Sequence, residues 1–258
     1  MADASPSGLH ERTEILIGAA GVACLQQSHI LLAGLGGVGS FAAEALARAG
    51  VGRLTLIDHD VVSPSNLNRQ LPATLQTLGQ KKVQVVGDRL QSIHPQCQIE
   101  RIDTFLQQDN IPELLEKRAP DWVLDAIDSL NCKVALLLAA QQQALCVASS
   151  MGAGGRLDPT RIVVSDLLDT QHCPLARAVR IRWRRRGGER GIQAVWSTEI
   201  PRAPAPPEQT DQGRSRVVNG TISYLPALFG MTLAGVAIQA ILQRAGALRP
   251  VPPAPVVD

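Results

Sequence analysis

The stretch His29-Ile30-Leu31-Leu32-Ala33-Gly34-Leu35-Gly36-Gly37-Val38-Gly39-Ser40, followed by the alanine-rich run 41–49 and stopped at Gly50, decides the fold. Five apolar or β-compatible residues read as a short buried strand of the kind found in parallel sheets. The 3.6-residue spacing after Val38 reads as a helix over 38–49. Between them Gly34, Gly36 and Gly39 give the G-x-G-x-x-G spacing in its required setting, strand before and helix after. Glycines permit the tight turn and let backbone approach phosphate oxygens. The helix start then offers free N–H groups and a favourable dipole. About 20 residues on, the strand expected at 53–58 ends in Asp58, placed to accept from ribose hydroxyls.

Working outward, the alternation continues: a helix at 81–93, a strand at 98–105, a short helix after Pro112, a strand at 121–128, a helix at 131–144 and a strand at 145–150. Strands alternating with helices predict a Rossmann-like, doubly wound, mostly parallel α/β sheet. After Gly155 the rhythm changes. Strands are expected at 161–167 and 192–199, with an arginine-rich stretch between them. The sheet is therefore extended by C-terminal strands and followed by a long apolar helix over 222–242. We expect a disordered N-terminus over 1–10, a single domain over 11–243 with a mobile Pro-rich loop at 200–218, and a Pro-rich disordered tail over 244–258.

Composition limits the function classes. The chain has 258 residues, 45% hydrophobic and 19% charged, with a net charge of +2, which permits a polyanionic partner without demanding one. Nothing at the N-terminus reads as a signal peptide. The five cysteines form no C-x-x-C pair, which excludes a zinc ribbon and suits a reducing, cytoplasmic setting. The apolar run 222–242 has the length of a membrane span, but Ser223, Pro226, Gly230, Thr232, Gly235 and Gln239 interrupt it, so we expect a core or interface helix and no stable membrane insertion.

The glycine loop alone serves NAD as well as ATP. Three later features favour ATP with Mg²⁺. Asn68-Arg69-Gln70 follows the second strand, and an arginine there suits β- and γ-phosphates. Lys82, with Lys81 beside it, starts the next helix. Asp128 is expected at the C-terminal end of the fourth strand, where an acid can hold Mg²⁺ against phosphates. Each has a plain alternative: a solvated loop charge, a polar helix face, a helix cap. Their convergence at successive strand ends is the argument. No G-x-x-x-x-G-K-[ST] is present, so this is not a P-loop site.

The series G-x-G-G-x-G, then Leu56-Ile57-Asp58-His59-Asp60, then Asn68-Arg69-Gln70, a helix-start lysine and Asp125-Ala126-Ile127-Asp128-Ser129 resembles the superfamily of ubiquitin-activating enzymes and their bacterial relatives. Later segments narrow this: 152–160, Pro174-Leu175-Ala176-Arg177, Trp196-Ser197-Thr198-Glu199 and Gly220-Thr221-Ile222-Ser223-Tyr224-Leu225-Pro226 resemble the tRNA threonylcarbamoyladenosine dehydratases. The resemblance implies ATP-dependent dehydration of threonylcarbamoyladenosine in tRNA through an acyl-adenylate. The alternative in the same superfamily is adenylation of the C-terminus of a ubiquitin-like sulfur carrier. By resemblance, Arg69 and Lys82 would hold the phosphates with Arg12 assisting, often from a neighbouring subunit. Gly34, Gly36, Gly37 and Gly39 would admit the nucleotide, Asp58 and Asp60 would face the ribose side, Asn68 and Gln70 would orient phosphate or substrate, and Asp128 would hold Mg²⁺. A homodimer and a cysteine desulfurase-type sulfur-transfer partner are also implied. The tRNA would need a basic surface, which Arg177, Arg180, Arg182, Arg184, Arg185 and Arg186 can supply.

Overall fold

The computed structural model describes residues 8–203, 208–209, 215–216 and 219–247. Mostly buried runs become the parallel strands β1 (His29–Ala33), β2 (Arg53–Asp58), β4 (Trp122–Asp125) and β5 (Cys146–Ser150), and the alternating, partly exposed segment Gln98–Asp103 forms the edge strand β3. Two further strands, β6 (Ile162–Asp166) and β7 (Gln193–Ser197), complete a seven-stranded sheet of order β3-β2-β1-β4-β5-β7-β6. β7 runs parallel to β5, and β6 closes that edge antiparallel to β7. The order reverses direction at β1, which is flanked by β2 and β4. The crevice at the C-terminal ends of these strands is where ligands bind in open α/β sheets.

The helices α1 (Glu11–Gln27), α2 (Gly39–Ala49), α3 (Lys82–Ile93), α4 (Ile111–Arg118), α5 (Leu130–Gln142), α6 (Pro174–Arg185) and α7 (Tyr224–Arg244) cover both faces. One face packs its core on α2, α3 and α7; the other packs on α4, α5 and α6. The long apolar helix α7 buries Leu225, Phe229, Leu233, Ala234, Ala237, Ile241 and Leu242, so its hydropathy serves the core of this domain. It lies so close to α2 that a methyl group on Gly230 would stand 2.2 Å from the Val38 carbonyl.

Several strands are shorter than expected, β7 ending at Ser197 rather than 199 among them, and two of the early stops lie beside the crevice. β3 stops at Asp103, where the Thr104 N–H turns back onto the Ile102 carbonyl. β4 stops at Asp125, not Asp128. The Asp125 side chain folds inward and accepts the Ile127 N–H (3.0 Å), which bends the chain out of the sheet. In the expected Pro-rich loop, Glu208–Gln209 (β8) pairs antiparallel with Ser215–Arg216 (β9). The rest of 204–218, residues 1–7 of the expected N-terminal arm and 248–258 of the expected tail lie outside the described residues. Gly8–His10 form a turn leading into α1, which is kinked at Gly18 (φ 74°).

Candidate active site

The chain leaves β1 at Ala33 and turns on Gly34, which adopts φ +90° and donates its N–H to the Ile57 carbonyl (2.8 Å). Gly39 sits directly against that turn: a methyl group there would lie 1.7 Å from the Gly34 carbonyl oxygen, so backbone meets backbone and no side chain fits. Ser40 locks the loop by donating its hydroxyl (2.6 Å) and its N–H (3.1 Å) to the Gly36 carbonyl. Gly37 faces Pro226 at the start of α7 and the Arg69 carbonyl. A methyl group there would come within 3.0 and 3.3 Å of them. Helix α7 thus seals the glycine loop.

Asp58 is buried and accepts two backbone N–H groups, Leu35 on Oδ2 (2.6 Å) and Asp60 on Oδ1 (2.8 Å). It fixes the glycine loop and its own loop relative to each other. Lys82 is buried at the start of α3, with its ammonium 2.7 Å from Asp60 Oδ2. Lys81 points elsewhere, to Asp103 and the His59 carbonyl, and so is no part of the cluster. Asp58, His59 and Asp60 converge closely enough for a cation, with ligand atoms within 4.8 Å of one another, but Lys82 already supplies positive charge there.

Arg69 donates to the Ser65 carbonyl (2.8 Å) and to Asn68 Oδ1 (2.9 Å), and has no carboxylate partner among the described residues. Asn68 donates to the Thr221 carbonyl (2.9 Å), tying this loop to the approach of α7. Gln70 is buried beside Gly36, and its Oε1 has no partner among the described residues. Asp128 is exposed and makes no hydrogen bond or ion pair among the described residues. Its loop is nonetheless pinned: the Ala126 N–H donates to the Ala33 carbonyl (2.8 Å), and the Ala126 carbonyl abuts Gly34.

What pins it was not read from the sequence. Lys133, fully buried in α5, donates to Asp125 Oδ2 (2.6 Å), Ser149 Oγ (3.3 Å) and the Ser150 carbonyl (2.9 Å). It joins the ends of β4 and β5 under the site. The available signal was a single lysine within the apolar run 132–140. A second hub also escaped notice. Arg156 is buried, donates to the carbonyls of Gly152, Glu199 (3.0 Å) and His172 (3.2 Å), and shapes the loop after β5. Glu199 accepts the Leu157 and Asp158 N–H groups, and the Tyr224 hydroxyl donates to the Leu157 carbonyl (2.7 Å).

Arg12 is not brought to these groups within one chain. Two residues before it, the His10 ring packs on Gly50 and against His94 (centroids 5.2 Å apart), at the far ends of α2 and α3. Of the predicted basic run, Arg180 is half-buried and donates to the Thr170 carbonyl and hydroxyl, so it holds α6 in place. Arg177, Arg182, Arg184, Arg185 and Arg186 are exposed. Cys173, preceding α6, is buried and accepts the Ala176 N–H (3.4 Å) as a helix cap.

A family model for the ThiF family matches residues 10–253. The chain belongs to the ThiF family. Within it, the chain is 34% identical over 244 residues to the tRNA threonylcarbamoyladenosine dehydratase of Bacillus subtilis, spanning 91% of this chain and 96% of that one. Its fold superimposes on the Escherichia coli tRNA threonylcarbamoyladenosine dehydratase in complex with ATP with a TM-score of 0.83 at 33% identity, covering 92% and 95% of the two chains. Similarity to the Escherichia coli molybdopterin-synthase adenylyltransferase, 41% over 110 residues, covers only 43% of each chain.

Proposed function

We propose that this protein is an ATP-dependent tRNA threonylcarbamoyladenosine dehydratase that works through an acyl-adenylate. The observation that carries the reading is likeness along nearly the whole chain to dehydratases, one of them solved with ATP. Likeness to a carrier-protein adenylyltransferase stops below half. That difference sets aside the sulfur-carrier alternative.

The residues suit the chemistry. An anionic carboxylate must approach an anionic α-phosphate, so oriented N–H groups and cations have to surround the phosphates. Gly36 and Gly37 leave the backbone open to phosphate oxygens. The Arg69 guanidinium, without an acidic partner, is available to the outer phosphates, and Lys82 can turn from Asp60 toward them. The buried Oε1 of Gln70, whose amide nitrogen lies beside Gly36, has no partner among the described residues and is a polar atom awaiting a ligand. Asp58 and Asp60 lie on the ribose side. The substrate carboxylate is already ionised at neutral pH, so no general base is needed for the first step. Its oxygen bonds to the α-phosphorus and pyrophosphate leaves. The neighbouring carbamoyl group then closes a ring on the activated carbonyl, and AMP leaves. The net change is loss of water from the nucleoside.

Asp128 fits Mg²⁺, because an exposed carboxylate without a protein partner beside a phosphate site is the usual sparse protein contribution to that ion. Bound there, Mg²⁺ would neutralise phosphate charge. The exposed arginines of α6 would carry the tRNA backbone. Ile15 and Leu16 on α1, with 86% and 82% of their surface exposed, together with exposed Leu228 and Met231 on α7, support a homodimer across which Arg12 could reach a second site. A cytoplasmic location and a cysteine desulfurase-type partner accompany this reading. Burial pushes the Cys97 thiol up to about 11, so Cys97 offers no thiolate to such a partner at neutral pH.

The test is direct. The protein is incubated with ATP, Mg²⁺ and tRNA bearing threonylcarbamoyladenosine, and the digested nucleoside is weighed by mass spectrometry. ATP-dependent loss of one water supports the reading. An unchanged nucleoside, with pyrophosphate exchange only on adding a carrier protein, would transfer the assignment to the alternative.

A further inference from the structure

The first half of α1 is loosely attached to the body of the domain. The helix is broken at Gly18, whose φ of 74° and ψ of 166° are not helical. Before the break, Ile15 and Leu16 are almost bare, and Glu11, Arg12 and Glu14 are exposed as well. Ile17, beside the break, touches the core. At the opposite end the anchor is His10.

His10 caps the half-helix, and its carbonyl accepts the Glu14 N–H (2.7 Å). Its ring lies on Gly50, which ends α2 in the left-handed conformation (φ +98°). A methyl group on Gly50 would stand 2.9 Å from the His10 Cε1, so the seat exists because this residue is glycine. The ring meets His94, which ends α3, nearly at right angles (80°). This seat lies at the C-terminal ends of α2 and α3, whereas Gly39 and Lys82 open the same helices at the nucleotide crevice. An α2 of 11 residues puts on the order of 16 Å between the two. Any effect of His10 on adenylation therefore passes through another residue. Arg12 stands two positions on, with no acidic partner among the described residues.

The two rings pack as neutral groups. His94 is 2% exposed, and its ring donates to the Ala47 carbonyl. Its Nδ1 and both ring nitrogens of His10 are buried with no partner among the described residues. An added proton on either ring would lie buried, without an acceptor, against a second imidazole. Burial, then His10, holds the His94 pKa below its usual 6.5, with the Ala47 bond opposing them. The other charges nearby do not reverse this. In α2 and α3, Glu44 is engaged with Arg48 and Arg89, and Asp88 with Arg101. On α1, Glu11 and Glu14 border a cavity of about 250 Å³ beside His10, together with Gln26 and Gln96. They draw a protonated His10 ring outward, away from His94. A lowered folded pKa means that the neutral contact is kept above about pH 6.5 and lost as pH falls through the folded value.

We propose that His10 is a positioning residue: seated on Gly50 and His94, it fixes the first half of α1 so that Arg12 is presented to the adenylation site of a second copy of this chain, and acid unseats it. The proposal rests on the reading of Arg12 as an assisting cation across a homodimer.

The test uses ATP–pyrophosphate exchange with tRNA bearing threonylcarbamoyladenosine, for the wild type, Arg12→Ala, His10→Ala, the double variant and His10→Phe. Amide hydrogen exchange over residues 9–17, corrected for its intrinsic pH dependence, is followed from about pH 7.5 to about pH 5.5. Arg12→Ala should lower kcat/KM for ATP about 10–100-fold. His10→Ala should reproduce most of that loss and strip protection from residues 9–17. Adding it to Arg12→Ala should change kcat/KM less than about twofold, as expected of a residue acting through the other. His10→Phe fills the seat without a nitrogen, so it should restore exchange and move the acid loss of protection to lower pH. Normal kcat/KM in His10→Ala would overturn the proposal, as would a full further loss in the double variant, or loss of protection in His10→Phe at the same pH as the wild type. Full exchange activity in Arg12→Ala would instead refute the Arg12 reading on which the proposal stands.

Discussion

Lys133→Met offers a sharp probe of how the fold holds its site. Methionine keeps an unbranched side chain one atom shorter than lysine's and removes the charge. The Asp125 carboxylate, itself fully buried, would keep the Ser149 hydroxyl (2.6 Å) and the Ile127 N–H (3.0 Å) but lose its countercharge at 2.6 Å. Breaking a buried pair from one side costs about 3–5 kcal/mol. For a domain of this size, with ~2–4 °C per kcal/mol, the melting temperature should fall by about 6–20 °C. Two double variants separate charge from geometry. Adding Asp125→Asn neutralises the site and keeps an oxygen for the Ile127 N–H, so both stability and ATP–pyrophosphate exchange should recover most of their loss. Adding Asp125→Leu also removes the unpaired charge, so stability should return. The bond that bends the chain toward Asp128 is then gone, and exchange should stay low at saturating ATP. A melting temperature for Lys133→Met within about 2 °C of wild type would refute the claim that Asp125 depends on this lysine. Full exchange activity in the leucine double variant would refute the claim that Asp125 positions the Asp128 loop.

Asp128→Ala should abolish exchange while leaving the melting temperature within about 1–2 °C of wild type, because the side chain is exposed and bonded to nothing described; a large melting shift would show an unrecognised structural role. Gly39→Ala should destabilise by about 1–3 kcal/mol or more and remove ATP binding, since its methyl group would meet a carbonyl oxygen at 1.7 Å; chemical denaturation and ATP titration check both halves. Burial, then Arg53, lowers the His29 pKa, and burial, then His10, lowers that of His94. A folded pKa below the unfolded 6.5 means stability present above that pH and lost as pH falls through the folded values, so melting temperature should decline below about pH 6.5, and less so in His94→Gln.

The parts of this fold that local chemistry controls were legible in the sequence. Gly34 to Gly39 has one workable geometry between a buried strand and a helix, and the periodicity around it announced the alternating elements. Lys82 and Lys81 show where legibility ends: adjacent in sequence, they go to opposite sides, one to Asp60 and one to Asp103, and only the packed α3 decides which. Asp125 and Asp128 show the same limit. Both are acids in one short motif, yet the first is buried under the site and the second faces solvent, because Lys133 waits beneath β4. Arg180 looked like its neighbours and is turned inward by Thr170. Long-range partners, absent from any local window, made each of these choices.

The contact of Pro226 with Gly37, reinforced by Gly230 against Val38, also orders events during synthesis. The nucleotide loop leaves the ribosome well before the helix that closes over it, since Gly37 and Pro226 lie far apart in the sequence. At ~5–20 residues per second, about 10–40 s separate the two. During that interval the growing chain has its glycine turn without its cover. A nascent or truncated chain lacking α7 should therefore fold much of its sheet and still fail to hold ATP, which ties nucleotide competence to the synthesis of α7.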